Sequence, residues 1–417
     1  MGRAQWVVVH RLAGLLLAGF LVVAGLTGSV AAFLPELELW LNPEYQVAPR
    51  PMPPLDGFEL REQALALMPG TVINTVDLSD KAKRAYHAWL EPRYDPITDS
   101  DAELQVRGLV LDPYTGAELA RKPIDGERYF PLTRRNFGRF LLGLHHSLLL
   151  GEPGRILLGI AALVWTLDCL VGCYLTLPPR RPPERRRSTR RWLRAWAERW
   201  QLRRAAPAYR LRLDLHRAIG LWAWVLLFML AWSGVSFNLR GAVYDPVMGL
   251  VFNMRDPTLP RVAPEDYRQD PPQTWAVAYD RGRALMTAAA GARGFQVLDE
   301  QVLRYEPETS RFLYSVRSTL DIGTRWGRTT VAFDAITGAF IGFQAPTGSG
   351  AGNAITVWLQ VLHTGMKWRP GLPVLLCLTG VAIPVLTWTG LTLWWRKRRV
   401  LRRRQHRRRP AHPGFSA

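Results

Sequence analysis

Apolar residues fall into four long blocks along this 417-residue chain, at 6–34, 156–177, 221–239 and about 371–395. Each approaches or exceeds the ~20 residues an α-helix needs to cross ~30 Å of hydrocarbon at 1.5 Å per residue. Four membrane-spanning helices are therefore expected. Between the first and second blocks, and between the third and fourth, the pattern changes to short alternations. Residues 106–120 read as a strand pair around the turn Asp112-Pro113-Tyr114-Thr115-Gly116-Ala117, and 331–339 repeat the pattern around Asp334-Ala335-Ile336-Thr337-Gly338-Ala339. An Asp opening the turn and a Gly where φ must be positive are the expected turn chemistry. Residues 61–70 read as a short helix stopped by Pro69-Gly70.

The reading that follows is a membrane α-helical protein: two tandem two-span repeats, each with a small α+β domain on one side. The expected order is a first span (1–34), a domain (35–138), a second span (139–178), a basic loop (179–210), a third span (211–239), a second domain (240–352), a fourth span (353–396) and a basic tail (397–417).

The formal charge of +20 raises the question of nucleic acid, but its densest runs, 180–204 and 396–409, each follow an apolar block. Basic clusters flanking spans are the positive-inside signature. No nucleic-acid partner is expected. Both termini are placed in the cytoplasm and both domains outside, and the lipid bilayer is the partner of the apolar blocks. In the basic loop Trp192, Trp196 and Trp200 recur every four residues among arginines, the pattern of an amphipathic interfacial helix. The first block exceeds the 7–15 residues of a signal-peptide core and is read as an uncleaved anchor. Cys169, Cys173 and Cys377 all lie in spans, which implies no disulfide framework or zinc site.

Histidines mark the duplication. His10-Arg11-Leu12-Ala13-Gly14-Leu15 matches His216-Arg217-Ala218-Ile219-Gly220-Leu221, and the interval from His10 to Gly28 equals that from His216 to Gly234. Likewise the interval from His145 to Gly172 equals that from His363 to Gly390. Imidazoles in spans are costly unless they bind something, and haem suits them best.

The two-span unit, its H-R-x-x-G-L start, its D-x-x-T-G-A turn, the run Leu144-His145-His146-Ser147-Leu148-Leu149-Leu150-Gly151 and Leu362-His363-Thr364-Gly365 together resemble the PepSY-associated transmembrane (PepSY-TM) family. The resemblance covers almost all of the chain except the tail. It implies PepSY-like periplasmic domains and an inner-membrane dihaem ferrisiderophore reductase of Gram-negative type, acting in iron uptake with a ferric siderophore as electron acceptor.

Topology decides how the histidines pair. His10 and His216 open outward spans and lie near the inner face; His145 and His363 open inward spans and lie near the outer face. A six-coordinate haem needs two imidazole nitrogens about 4 Å apart, so His10 is expected to pair with His216 and His145 with His363, as axial ligands of two haems b. No C-x-x-C-H occurs for covalent attachment. His145 and His146 compete for the outer position. The Pro-Gly steps at 153–154 and 370–371 favour His146, while the glycine spacing and the family run favour His145, with His146 beside the outer haem edge. Arg11 and Arg217 are equally candidates for the inner haem's propionates and interface charges; Arg155, Lys367 and Arg369 are candidates for the outer haem's propionates or, by the stronger expectation, interface charges. Asp168, a carboxylate inside a span, is a proton relay, a neighbour of the inner haem or a hydrogen-bond partner to another span. His87 reads as a surface residue of the first domain. Trp275, Tyr305, Tyr314 and Trp326 are a docking surface or, by the stronger expectation, core.

Quinol or a cytoplasmic reductase would be the electron donor. The alternatives are a quinol-linked carrier to another periplasmic acceptor, a non-redox PepSY scaffold or peptidase modulator, and a transporter.

Overall fold

The computed structural model describes residues 2–407 apart from 80–83, 96, 105, 124–128, 180–187, 255–267, 324–326 and 349. Helix α1 (Arg3–Ala31) leads through the short α2 (Leu34–Leu41) to α3 (Gly57–Leu67). Strands β1 (Thr71–Val72), β2 (Thr75–Asp77), β3 (Tyr86–Trp89), β4 (Glu91–Pro92), β5 (Tyr94–Asp95), β6 (Ser100–Asp101), β7 (Val106–Leu111) and β8 (Glu118–Pro123) follow. The chain returns through α4 (Phe137–Ser147) and α5 (Gly151–Thr176), then forms α6 (Thr189–Ala197) at the far end. Helices α7 (Ala208–Trp222), α8 (Trp224–Asn238) and α9 (Asp245–Val251) lead to α10 (Trp275–Arg293) and strands β9 (Val297–Glu306), β10 (Arg311–Ser318), β11 (Thr329–Asp334) and β12 (Phe340–Gln344). Helices α11 (Ala351–His363) and α12 (Gly371–Arg407) close the chain.

Among the described residues, α1, α5 and the 371–400 part of α12 are long and apolar enough to cross a membrane, and α7 with α8 make a fourth span if taken as one. The protein is a multi-pass membrane protein carrying β-sheet domains. The third span is not the straight helix expected: α7 and α8 meet at 65°. Ala223 caps α7 at φ −91°, ψ −2°, at the edge of the helical region, and the Trp224 indole N–H donates across the bundle to the Cys169 carbonyl (2.8 Å).

Small residues set the helix contacts. A Cβ on Gly25 of α1 would stand 2.8 Å from the Gly380 carbonyl oxygen of α12, and one on Gly234 of α8 would stand 3.1 Å from Ala162 Cβ of α5. With no hydrophobic drive between helices in lipid, this close approach supplies the van der Waals contact that holds them together. The start of α1 lies beside the end of α5, where the Arg3 guanidinium donates to the Leu175 carbonyl.

Both turns form as expected. Asp112 Oδ1 accepts from the Tyr114 (2.8 Å) and Thr115 (3.3 Å) amides, and Asp334 Oδ1 from those of Ile336 (3.0 Å) and Thr337 (2.7 Å). Gly116 and Gly338 each adopt φ +67°. Helix α3 starts earlier than expected, because Asp56 and Glu59 form a reciprocal capping box (2.8 and 3.1 Å). In the basic loop the rings of Trp192, Trp196 and Trp200 meet in succession, tilted and then edge-on, and Trp196 is tied to Thr176 (3.2 Å).

The two outer segments do not each close their own sheet. The first forms β3-β7-β8, but its β2 joins the second segment's strands in a five-stranded antiparallel sheet, β12-β11-β10-β9-β2. Val76 of β2 is fully buried in the core of that sheet beside Leu303, Tyr305, Phe312, Tyr314 and Val331. Arg61 of α3 lies against the Trp275 ring (4.5 Å), and Arg93 forms a two-point ion pair with Asp270 (2.6 and 3.1 Å). Burying Val76 is the physical reason for the exchange, since the fully buried members of its cluster all come from the second segment, with Phe58 and Leu78 of the first packed at its margin.

Candidate functional site

Helices α1, α4, α7 and α11 each bring one histidine to the bundle, and the four gather as two pairs; His145 and His363 end the short helices α4 and α11 rather than opening the spans α5 and α12 as expected. The His10 and His216 rings stand 6.2 Å apart centre to centre at 62°, and those of His145 and His363 stand 6.1 Å apart at 61°. With a nitrogen about 2 Å from a shared metal on each side, and about 1 Å more to each ring centre, two axial imidazoles have centres about 6 Å apart. Both pairs meet that spacing. Of the neighbours His145 and His146, the structure sets His145 against His363. His146, half-buried, pairs with no histidine ring among the described residues.

The second nitrogen of each ring is committed elsewhere. His10 Nδ1 meets the Asp168 carboxylate (2.8 Å), and His216 Nδ1 meets Thr389 Oγ1 (2.9 Å) and the Leu386 carbonyl (3.1 Å). His145 Nδ1 meets Thr27 Oγ1 (3.0 Å) and His363 Nδ1 meets Ser233 Oγ (2.6 Å). The hydroxyls already donate along their own helices: Thr27 to Val23 O (2.6 Å), Ser233 to Leu230 O (2.9 Å) and Thr389 to Val385 O (2.8 Å). Toward the imidazoles they must accept, as must a carboxylate and a carbonyl. All four histidines therefore carry their proton on Nδ1 and present an Nε2 lone pair, the tautomer a metal requires.

The repeated glycines make room for the rings. A Cβ on Gly28 would lie 2.9 Å from His145 Cε1; Gly172 faces His10 (3.5 Å) and Gly390 faces His216 (3.4 Å). Gly234 departs from the pattern and packs on Ala162. Three of the four repeated glycines thus face a histidine of another helix.

The hydroxyl partners went unrecognised in the sequence, although a signal was present. Thr27, Ser233 and Thr389 each stand directly before a repeated glycine. Asp168 and Leu386 hold matching places before Gly172 and Gly390, so at the inner pair one imidazole faces a carboxylate while its counterpart faces a carbonyl and a hydroxyl. Of the three roles open to Asp168, the structure shows the hydrogen bond to another span.

The arginines after the inner histidines retain donors. Arg11 Nε is buried with no hydrogen-bond partner among the described residues. The side chain of Arg217, 17% exposed, reaches Asp214 only at 3.9 Å, because Asp214 is held by Arg203 (2.6 and 2.7 Å). Each keeps a donor for an anionic group. The other cations are engaged: Arg155 with Glu152 (2.8 Å), Lys367 with the Ile322 carbonyl (2.6 Å), and Arg369 with Glu36. The donor set fits haem: two imidazole pairs of the right tautomer, cleared space beside them, and cations at one edge.

Away from the bundle, Tyr305 and Tyr314 are core residues and Trp275 packs against them, while Trp326 lies outside the described residues. Burial and a hydrogen bond to Glu300 push the Tyr279 hydroxyl up to about 12. His87 is half-buried rather than on the surface: Lys122 Nζ donates to its Nδ1 (2.7 Å) while lying 4.5 Å from the Trp89 ring centre. Burial holds the Lys122 ammonium below its usual range.

A comparison with curated proteins finds no match to this chain. The family model described as PepSY-associated TM region matches residues 7–397, nearly the whole length, and the chain belongs to that family.

Proposed function

We propose that this protein is an inner-membrane electron carrier holding two haems b, which passes electrons outward to reduce ferric siderophores in the periplasm and release their iron. The observation that carries the reading is the pair of imidazole couples at 6.2 and 6.1 Å, every Nδ1 hydrogen committed to an acceptor. Haem bound at each couple supplies a one-electron carrier that needs no proton at the metal. His10 and His216 would hold the inner one, His145 and His363 the outer. Thr27, Ser233, Thr389 and Asp168 orient the rings, and Arg11 and Arg217 supply guanidinium donors for propionates.

Helix α1 carries both His10 and Thr27, the latter bonded to the outer pair. Seventeen residues separate them, or about 25 Å along the helix, so the couples sit at opposite depths of the bundle. The basic loop and tail support an orientation with both termini in the cytoplasm, where quinol or a soluble reductase would donate. The sheet domains would then face the periplasm, beside the outer couple.

Pyridine-haemochrome assay of the detergent-purified protein tests this reading. About two b-type haems per chain are expected, followed by reoxidation of the dithionite-reduced protein by a ferric siderophore. No haem in protein made with ample haem supply would sink the proposal and favour a scaffolding role for the outer domains.

A further inference from the structure

Between the five-stranded sheet and α11 lies a cavity of about 650 Å³, within the size range of small-molecule sites. The sheet face turned away from α10 forms one wall. Val302, Ser315, Thr330 and Gln344 stand in register across β9, β10, β11 and β12 on that wall. Helix α11 forms the other wall through Asn353, Thr356 and Gln360, which follow the three- and four-residue spacing of one helix face. His363 continues that face one turn beyond Gln360, about 5 Å along the axis.

Three arginines line this cavity, Arg240, Arg304 and Arg328, and no carboxylate is among its described lining residues. Arg240 reaches Asp245 only at 3.4 Å, and Arg328 donates to the neutral amide of Gln360 (3.0 Å). A smaller cavity of about 240 Å³ shares Arg328, Pro346, Val357 and Gln360 with the first. Its one carboxylate, Asp321, is already occupied by the Ser318 and Arg328 amides (2.9 and 2.7 Å) and the Thr329 hydroxyl (2.8 Å). Its far wall includes Phe237, whose ring lies edge-on to His363 at 5.2 Å. Guanidinium groups bind carboxylates through paired, directional hydrogen bonds, and like charges in a cleft concentrate the field on an entering anion.

We propose that this cavity is the docking site of a polycarboxylate iron chelate, held by Arg240, Arg304 and Arg328 over the α11 face that ends at His363. This deepens, and rests on, the reductase reading above. It names the substrate class: anionic chelates bearing free carboxylates, in preference to cationic ones.

Binding of gallium(III) citrate, a redox-inert mimic, to the full-length protein in uncharged detergent tests the site without requiring electron transfer. Wild type is expected to bind it, and Arg304→Glu with Arg328→Glu to raise Kd at least tenfold while the visible haem spectrum stays unchanged. Arg304→Gln alone, at an exposed position, should raise it severalfold. Unchanged affinity in these variants overturns the proposal. So does a cationic gallium trihydroxamate binding wild type as tightly as the citrate complex. An anionic lipid headgroup offers the same oxyanion chemistry. If wild type ignores gallium citrate but co-purifies with phosphatidylglycerol in an Arg304- and Arg328-dependent manner, the cavity is a lipid site and the proposal falls. Gallium citrate binding without reduction of ferric citrate would instead sink the reductase reading and leave the anion site standing. Reduction of a ferric trihydroxamate without gallium citrate binding would sink the anion site alone.

Discussion

His145 and His146 are neighbours in sequence, and a helix turns successive residues about 100° apart, so only one of them faces His363. The structure gives that place to His145, with its Nδ1 on Thr27 and a glycine opposite its ring. His145→Ala is expected to lower haem content from two to about one per chain, whereas His146→Ala should leave two; haemochrome titration of both variants separates them. Equal losses would mean that the adjacent ring ligates. Asp168 makes a second residue-scale difference. A carboxylate accepting from an axial imidazole makes that ligand more electron-rich, and only His10 has one. Asp168→Asn should shift one of the two midpoint potentials positive by on the order of 50 mV, about a tenfold change in a one-electron equilibrium. Optical redox titration reads the shift, and two unmoved potentials would remove Asp168 from any tuning role.

At the scale of elements, the outer sheets are tied together by β2. Its Val76 is fully buried among residues far along the chain. Val76→Ala should cost about 2 kcal/mol, and it should do so in the second segment: amide exchange in β9–β12 is expected to quicken while β3-β7-β8 keeps its protection. Faster exchange in β3-β7-β8 alone would show that β2 serves its own segment. The Arg93–Asp270 ion pair adds an acid-sensitive tie. The Arg93 hydrogen bond holds the Asp270 carboxyl below its ordinary range. Its folded-state value being depressed, its contribution is complete above about pH 4 and is lost as pH falls through the folded value. Asp270→Asn should therefore quicken exchange around 268–270 at neutral pH and remove part of its further rise in acid. Asp270 is largely exposed, so the effect will be small and salt-sensitive.

Over the whole molecule, the two imidazole couples stand at opposite ends of α1, an arrangement that would set haems bound there in series. Removing the inner couple with His10→Ala and His216→Ala should leave the outer haem bound and reducible by dithionite added on the domain side of proteoliposomes. Reduction by quinol from the loop side should fall at least tenfold. Undiminished quinol-driven reduction would show that the outer couple draws electrons directly and that the two do not form one path.

Much of this was legible in the chain itself. Apolar block length set the number of candidate spans, because backbone amides in lipid have no partner but their own helix. The recurrence of His10, His145, His216 and His363 at repeated intervals marked which residues would meet, since duplicated helices offer equivalent faces. The Asp112 and Asp334 turns were readable because their hydrogen bonds close within four residues. Other features depend on partners far away in sequence. The crossing of β2 follows from where Val76 finds apolar neighbours, and the bend at Ala223 from a Trp224 bond to another helix. The tautomer of each histidine is set by a hydroxyl, carbonyl or carboxylate on a different span, and the three-arginine cavity draws its lining from elements more than a hundred residues apart. Local geometry and periodicity are properties of the sequence alone. Which donor meets which acceptor across helices was decided by the packing of the spans, and with it the chemistry of the site.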